Sequence, residues 1–466
     1  MATYKLEPTP WRDRGDIVAG DPAERKSDKL LVGHLAESGP RRELWLDITG
    51  EQVVAILRKR GSGKSYTLGT IVEGLAAGMG ESRIATLITP RSALIFDIMD
   101  IFWTTQIPLV AQGPEELTKQ YETMHRGGLN SQPLEIVVWV PAGFENHDID
   151  PPGIHLLGIR ASNLEIDDWG SLFEVDIFGE PRGMLIADVI THVATTGYTA
   201  PDGSELPPNS NFDFADLLSC LDGDADILAN YRPDTIRSIR QRMTTYASLP
   251  LFSGTGTALS DLLRPFQSTV LMLARVPDAL KKVIVAVLTR RILRERRDAS
   301  LAQKRIDLDS RLDEAQRNQL RKLIRSKVPR TWLLMDEAHV LAGFDEPSVA
   351  REALIKYAKE GRNYGLSLAL ATQQPSALDP RLMSQVETAI VHQLTDPRDA
   401  NVAKNAMRSP LPSSVSVDGE SGDVTTLLRR LGQGIATFSC GNAPSLQRLC
   451  VTAIRPRISA HGGYEA

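Results

Sequence analysis

The sequence predicts an α/β fold in which a mostly parallel sheet is covered by helices on both faces. Strand-like and helix-like segments alternate along much of the 466-residue chain. The strand-like segments, such as residues 53–57 and 268–275, are apolar along nearly their whole length instead of alternating with polar residues. Strands of that kind are buried on both faces, which is the environment of a parallel sheet between two layers of helices.

Composition divides the chain into four parts. Residues 1–45 are polar, charged and rich in proline, and we expect an arm or reduced cap there. Residues 46–143 are the first part of the α/β core, and residues 262–466 are its second part with a C-terminal tail. Between them, residues 144–261 begin as an acidic, turn-rich stretch and continue with helical patterns, which indicates a helical or irregular insertion.

Within the core, each element is predicted from its apolar periodicity and the turn residues that bound it. In chain order these are a strand at 53–57, a helix at 64–79, strands near 83–89 and at 134–143, a strand at 268–275, an amphipathic helix at 277–296, a basic helical excursion at 297–330 and a strand that begins at 330. Further strand and helix patterns alternate from there to the end of the chain.

The charge distribution excludes a polycation that coats nucleic acid non-specifically, because the net charge is −5 and the isoelectric point is about 6.0. A local excess lies between residues 290 and 330, where 14 lysines and arginines stand against 6 acidic residues, a net of +8. No aromatic residue interleaves there, so stacking on single-stranded bases is not expected. The run indicates either a solvated helix face or a surface that contacts duplex phosphates regardless of sequence.

Sulfur and imidazole groups give no sign of a metal centre. We find no spacing typical of metal ligands among Cys220, Cys440, Cys450, His339, His392 and His461. We expect reduced thiols and structural histidines. The N-terminal stretch has no apolar core, and no segment approaches the roughly 20 apolar residues of a membrane helix. These features predict a cytoplasmic protein without a membrane partner.

The stretch VVAILRKRGSGKSYTLG, residues 53–69, has nearly the form of a phosphate-binding loop between a strand and a helix. Such a loop presents backbone N–H groups and a helix N-terminus to phosphate oxygens. Lys64 would supply positive charge to the β- and γ-phosphates, and the Ser65 hydroxyl would be a Mg²⁺ ligand. The predicted residues for binding ATP are Arg60, Gly61, Ser62, Gly63, Lys64, Ser65 and Tyr66.

The loop departs from the usual pattern at its first position, where Arg58 stands in place of glycine. Because Lys64, Ser65 and the backbone of the later glycines carry the phosphate contacts, arginine is tolerable there if its φ is negative. We therefore expect ATP binding to be retained.

A second element lies 272 residues beyond Lys64, where the apolar stretch TWLLM is followed by Asp336 and Glu337. At the end of a buried strand, Asp336 can hold Mg²⁺ and Glu337 can polarise a water that attacks the γ-phosphate. An adjacent pair of carboxylates favours hydrolysis over phosphoryl transfer to a metabolite, because the second one suits an attacking water.

Two further polar residues are candidates for the same chemistry. Gln373 follows the apolar strand LSLALAT, where its amide could contact the γ-phosphate and the lytic water. Arg362 lies near the end of the preceding helix, where it could complete the site of a neighbouring subunit or simply solvate the helix terminus.

Together these motifs resemble the HerA-like branch of the HerA/FtsK superfamily of P-loop ATPases. The matching stretches are KRGSGKSYTLG, WLLMDEAHVL, IRPRISAHGG and a 41-residue run that begins KEGRNYGLSLALATQQPSALDP. The resemblance covers roughly 46–111 and 262–463. It implies a RecA-like P-loop NTPase core, hexameric rings, ATP hydrolysis between subunits and translocation on double-stranded DNA. It also implies a nuclease or a sirtuin-type effector as partner.

Carried over by motif, the resemblance implies phosphate and Mg²⁺ roles for Lys64 and Ser65. It implies metal and water roles for Asp336 and Glu337. It also implies a sensor role for Gln373 and a role in the neighbouring site for Arg362. The chain departs from the family at Arg58 and in having only about 45 residues before the first core strand, where the family has a β-barrel. Two alternatives stay open: a regulatory ATPase ring that gates an effector without translocating DNA, and a degenerate nucleotide-binding structural protein.

Overall fold

The computed structural model describes residues 4–7, 17–19, 27–37, 42–59, 64–254, 256–407, 411–412, 414–441 and 449–463. The strands are β1 (Tyr4–Glu7), β2 (Ile17–Ala19), β3 (Lys29–Leu35), β4 (Glu43–Asp47), β5 (Val53–Leu57), β6 (Gly80–Glu81), β7 (Ala85–Leu87), β8 (Arg91–Asp97), β9 (Ile136–Pro141), β10 (His155–Leu157), β11 (Tyr198–Thr199), β12 (Glu205–Leu206), β13 (Ser268–Met272), β14 (Arg330–Met335), β15 (Leu366–Thr372), β16 (Thr388–Val391), β17 (Ser414–Val417), β18 (Glu420–Gly422), β19 (Ile435–Cys440) and β20 (Leu449–Ile454).

The α-helices are α1 (Lys64–Leu75), α2 (Glu115–Arg126), α3 (Ile166–Phe173), α4 (Pro181–Thr191), α5 (Phe214–Gly223), α6 (Ala225–Asn230), α7 (Pro233–Ala247), α8 (Leu259–Leu262), α9 (Asp278–Leu308), α10 (Glu314–Ser326), α11 (Ala338–Ala342), α12 (Val349–Glu360), α13 (Pro380–Met383), α14 (Pro397–Ala406) and α15 (Val424–Arg430).

One large sheet organises the described residues. Its parallel half has the strand order β10-β9-β13-β8-β14-β15-β5-β16, and every neighbouring pair in that half is parallel. The prediction of an α/β fold with a mostly parallel sheet is confirmed. In this order β15, the strand before Gln373, lies between the loop strand β5 and the carboxylate strand β14.

The parallel strands are apolar on both faces because a layer of helices packs on each side. In β5, Val53, Ala55 and Leu57 belong to one hydrophobic cluster, whereas Val54 and Ile56 belong to another. The first cluster contains apolar residues of α9 and α12, and the second contains those of α1. Burial on both faces explains why the strand pattern does not alternate with polar residues.

The sheet register aligns the carboxyl ends of three strands. Leu57 of β5 pairs with Thr372 of β15, and Met335 of β14 pairs with Leu370 of β15. The residues that follow these ends therefore gather at one edge of the sheet, where ligands bind in open α/β folds.

The other half of the sheet is mostly antiparallel, which the local pattern did not indicate. β19, β20, β3 and β4 continue the sheet from β16 in antiparallel pairs. The strand predicted near 83–89 is the shorter β7, and it pairs antiparallel with β3 and β6. Residues 29–35 and 43–45 of the predicted arm thus belong to this sheet.

Helix α9 is a single helix of 31 residues, where the sequence indicated a helix ending near 296 and a separate excursion. Arginine, lysine, glutamate and alanine favour helix, so the pattern continues beyond the buried half of α9 without a break. Helix α10 packs back against it. Part of the basic run is neutralised within the chain: Arg290 contacts Glu165 and Asp168, and Lys327 lies 3.5 Å from Asp298.

The segment between β10 and β13 is mostly helical and packs on the first cluster. Its aromatic contacts include Trp169 with Phe214 and Phe214 with Phe252. Arg290 joins α9 to α3 through Asp168, which is buried at the start of that helix. Of the described helices, none combines the length and the apolar composition that crossing a bilayer requires.

Candidate nucleotide site at the carboxyl edge of the sheet

Ser65 and Asp336, 271 residues apart in sequence, meet at this edge. The Ser65 hydroxyl donates a hydrogen bond to Oδ2 of Asp336, and the backbone N–H of Glu337 donates to Oδ1 over 2.7 Å. Asp336 is only 1% exposed. A hydroxyl and a carboxylate are hard oxygen ligands of the kind Mg²⁺ prefers, so these two residues fit the metal that the sequence implies.

Glu337 is held by side chains from neighbouring segments. Its backbone is left-handed, with φ 47° and ψ 46°, a conformation uncommon outside glycine. The Gln373 amide donates to Oε1, and His339 Nδ1 lies 3.4 Å from Oε2. His339 also contacts the Thr372 hydroxyl at 3.1 Å. A carboxylate oriented in this way can align a water and accept its proton.

His339 is therefore a residue whose position the sequence interpretation did not foresee. We expected a structural histidine, and it lies against the Glu337 carboxylate and the end of β15. The feature of the sequence that could have indicated this position is that His339 lies two residues beyond Glu337, at the start of the short helix α11.

The phosphate-binding loop itself is only partly described. Arg60, Gly61, Ser62 and Gly63 lie outside the described residues, and of Lys64 only the backbone, which opens α1, is described.

Tyr66 is placed on the C-terminal segment. Its hydroxyl accepts the backbone N–H of Arg457 over 2.8 Å, and its ring lies edge-on to His461 at 5.3 Å between centroids. The side chain thus anchors the C-terminal segment to the first turn of α1.

Arg362 is not brought to the site of its own chain. It lies in a short 3₁₀ helix before β15, whereas Gln373 follows the end of that strand. Seven strand residues at about 3.3 Å each separate the two by roughly 20 Å. Its side chain is 65% exposed and donates to Glu387 over 2.7 Å.

Arg58 points into the protein instead of into solvent, and only 7% of it is exposed. Its backbone N–H donates to the Thr372 carbonyl over 3.2 Å. The backbone φ of Arg58 is not positive, so the condition for tolerating arginine at the first loop position is met. Burial lowers its pKa to about 10, and the charges of Asp336 and Glu337 oppose that fall.

Asp97 is a further carboxylate at this edge that the sequence interpretation did not single out. It ends β8, which neighbours β14, and its Oδ2 accepts the backbone N–H of Phe102 over 2.6 Å. Burial raises its pKa to about 7. The signal was present, because an apolar run ends in aspartate here as it does at Asp336.

A buried ionic network joins helix α1 to the C-terminal segment. Glu73 is fully buried, and its carboxylate accepts from Arg457 Nε over 2.6 Å and from Arg455 Nη1 over 2.7 Å. The same carboxylate accepts the backbone N–H groups of Ile458 and Ser459, both over 3.0 Å. The C-terminal segment thereby positions the helix that carries Lys64 and Ser65 at its start.

The burial of His392 predicts that the folded protein loses stability in mild acid. Its Nε2 lies 2.9 Å from the Thr67 hydroxyl and its Nδ1 lies 3.1 Å from the Ile435 carbonyl, and it is 1% exposed. Burial, with the charge of Arg58, lowers its pKa from 6.5 to about 4. The unfolded chain then takes up a proton below pH 6.5 that the folded chain refuses until about pH 4, so stability falls across that window.

We expect the fall in unfolding free energy between pH 7.5 and 5 to be about 2 kcal/mol smaller in His392→Gln than in the wild type. Urea unfolding at the two pH values measures it. His147→Gln, which changes an exposed histidine, is the control and should behave as the wild type does. Equal pH dependence in all three proteins would show that His392 titrates alike in the folded and unfolded chains.

Sequence comparison finds HerA helicases. Over 188 residues, 38% of this chain and 33% of the relative, the chain is 26% identical to the DNA double-strand break repair helicase HerA of Pyrococcus furiosus. Over 74 residues, 16% of this chain and 15% of the relative, it is 35% identical to a probable helicase of the same name from Methanocaldococcus jannaschii. The matched stretches span about a third or less of these curated relatives. No protein-family model matches the chain.

Among solved structures, VirB4 of Thermoanaerobacter pseudethanolicus superposes with a TM-score of 0.47 at 15% identity, covering 95% of this chain and 97% of that one. The plasmid coupling protein TrwB in complex with ADP and Mg²⁺ gives a TM-score of 0.48 at 15% identity, covering 88% and 86%.

Proposed function

We propose that this chain, which is similar in sequence to HerA helicases, hydrolyses ATP as the motor subunit of a cytoplasmic DNA translocase. The observation that carries the proposal is the convergence of two pairs at one edge of the sheet. Ser65 bonds Asp336, and Gln373 bonds Glu337, although the members of each pair come from separate elements.

The chain's own residues divide the chemistry between them. Ser65 and Asp336 would hold the cation, and Lys64 would contribute positive charge from the start of α1. Mg²⁺, when bound, neutralises charge on the phosphate oxygens. Glu337, oriented by Gln373 and His339, aligns the attacking water and takes its proton.

We further propose that the subunits act as a hexameric ring with Arg362 serving the neighbouring site. Two features support this: its distance from the site of its own chain, and its exposure at the opposite edge of the sheet. An arginine there can neutralise charge that develops on a neighbour's triphosphate.

The proposed track is double-stranded DNA, and the proposed partner is a nuclease or a sirtuin-type effector. The net charge of +8 between residues 290 and 330 supports phosphate contact, although Arg290 is already paired with Glu165 and Asp168, which lie outside this run. The names of the relatives, repair helicases, support a role on DNA.

The test is ATP turnover with and without duplex DNA, together with equilibrium ATP binding. We expect Mg²⁺-dependent hydrolysis that rises several-fold with duplex DNA, and Lys64→Ala should bind ATP at least about tenfold more weakly because it removes the loop cation. Lys59→Ala, which removes an exposed lysine five residues earlier, is the matched control.

Each other outcome selects an alternative. Hydrolysis that DNA does not stimulate favours a ring that gates an effector, and equal, negligible ATP binding by wild type and Lys64→Ala favours a structural protein. Negative-stain images with ATP test the ring directly.

A further inference from the structure

Arg58 is a buried cation, and part of the hydrogen-bonding capacity of its side chain is unused within the described chain. Its Nε and Nη1 atoms are shielded from solvent, and neither has a hydrogen-bond acceptor among the described residues. A guanidinium carries five N–H donors and stays charged at neutral pH. Burying such a group without acceptors is costly, so its place calls for an anionic ligand.

The position of Arg58 identifies where that ligand lies. Arg58 directly follows β5 and opens the phosphate-binding loop, and its backbone is bonded to Thr372, the residue before Gln373. Along β5, side chains alternate between the two faces of the sheet, so Arg58 falls on the face of Ile56, which packs with α1. Ser65, at the start of α1, bonds Asp336 on that same face.

The carboxylates near Arg58 attract its charge, but neither accepts a hydrogen bond from its Nε or Nη1. Asp336 and Glu337 attract its charge, but both carboxylates already have partners in the site. Its other titratable neighbours are His392 and His461, whose pKa values burial lowers to about 4, so both are neutral at pH 7. A phosphate placed between Arg58 and the acidic pair would supply the missing acceptor oxygens.

We propose that Arg58 is a phosphate ligand of the bound nucleotide, its Nε and Nη1 donating to the terminal phosphate of a nucleoside triphosphate. The inference rests on the proposed function and adds to it a cation from the chain itself, distinct from Lys64 and from a neighbour's Arg362. The terminal phosphate is the one nearest the acidic pair, because Asp336 and Glu337 act on the metal and the attacking water. Arginine in place of glycine is then a contact of the site and not a defect of the loop.

The test compares Arg58→Met, which keeps the length of the side chain without its charge, with the wild type. Two probes are used by calorimetry: a non-hydrolysable β,γ-imido analogue of ATP with Mg²⁺, and ADP with Mg²⁺. We expect the variant to lose at least about tenfold in affinity for the analogue and less than about threefold for ADP, because charge-assisted bonds to the terminal phosphate are lost. Lys59→Ala should change neither affinity.

A second readout needs no nucleotide. Because Arg58→Met removes a buried charge without acceptors, we expect its unliganded melting temperature to equal or exceed that of the wild type. Arg58→Gly, which restores the usual loop residue, should show the same selective loss of the analogue if the methionine variant folds poorly.

The outcomes separate the two proposals. If the wild type binds the analogue and both Arg58 variants bind it equally well or more tightly, Arg58 does not contact the nucleotide. The inference about Arg58 is then wrong, and the proposed function is unaffected. If the wild type binds neither probe, the proposed function fails and the inference fails with it.

Discussion

Replacing Glu337 by glutamine is expected to lower ATP turnover by about 100- to 1,000-fold, the usual contribution of a positioned general base. Glutamine keeps the shape of the side chain but cannot accept the proton of the attacking water. The loop, Ser65 and Asp336 are unchanged, so ATP should still bind with Mg²⁺ at close to the wild-type affinity. Phosphate release under saturating ATP and equilibrium binding measure the two quantities separately.

The matched control is Asp345→Asn, which neutralises an exposed carboxylate eight residues further along the chain. It should leave turnover within twofold or so of the wild type, since a distant exposed charge contributes little at physiological salt. Comparable turnover in Glu337→Gln and Asp345→Asn would contradict the assignment and direct attention to another base. A loss of ATP binding in Glu337→Gln would instead show that the carboxylate supports the fold of the site.

The parallel half of the sheet could be predicted because its signal is local. Strands β5, β13 and β14 are apolar along most of their length, and each begins at its predicted residue. The antiparallel half could not be predicted in this way. Strand β3 pairs with β20, more than 400 residues later, and no local pattern reports a partner at that distance.

The same contrast holds at the candidate site. Asp336, Glu337 and Gln373 could be proposed because each follows an apolar strand, and the structure places them together, although their roles stay predictions. The burial of the Arg58 side chain could not be predicted from the sequence, since an arginine in a loop is most often solvated. Its neighbours, Thr372 at the end of β15 and His392 just beyond β16, come from more than 300 residues later in the chain.

The largest expected effect on stability comes from Glu73→Gln. Glu73 is the buried acceptor for Arg455 and Arg457, and glutamine would leave two buried guanidinium groups without a counter-charge. Breaking a buried ion pair by removing one partner costs about 3–5 kcal/mol of unfolding free energy. The network has little room to rearrange, because a Cβ on Gly69 would lie 1.8 Å from Arg457 Nη1. Chemical unfolding at pH 7.5 measures the loss.

The pH dependence follows from the same carboxylate. Burial raises the pKa of Glu73, but Arg457 and Arg455 more than offset it, so the pKa lies below 4.5 in the folded chain. The stabilisation is therefore complete above pH 4.5 and is lost as the pH falls through the folded-state pKa. Glu73→Gln should be less stable than the wild type at neutral pH, and the difference in their unfolding free energies should become smaller only below pH 4.5.

Glu81→Gln is the control, since Glu81 is an exposed glutamate in β6. It should unfold within about 0.5 kcal/mol of the wild type, as exposed substitutions usually do. If Glu73→Gln were no less stable than Glu81→Gln, the C-terminal segment would not hold α1 through this carboxylate. A destabilised Glu73→Gln that also binds ATP more weakly would link the segment to the loop, because α1 carries Lys64 and Ser65 at its first turn.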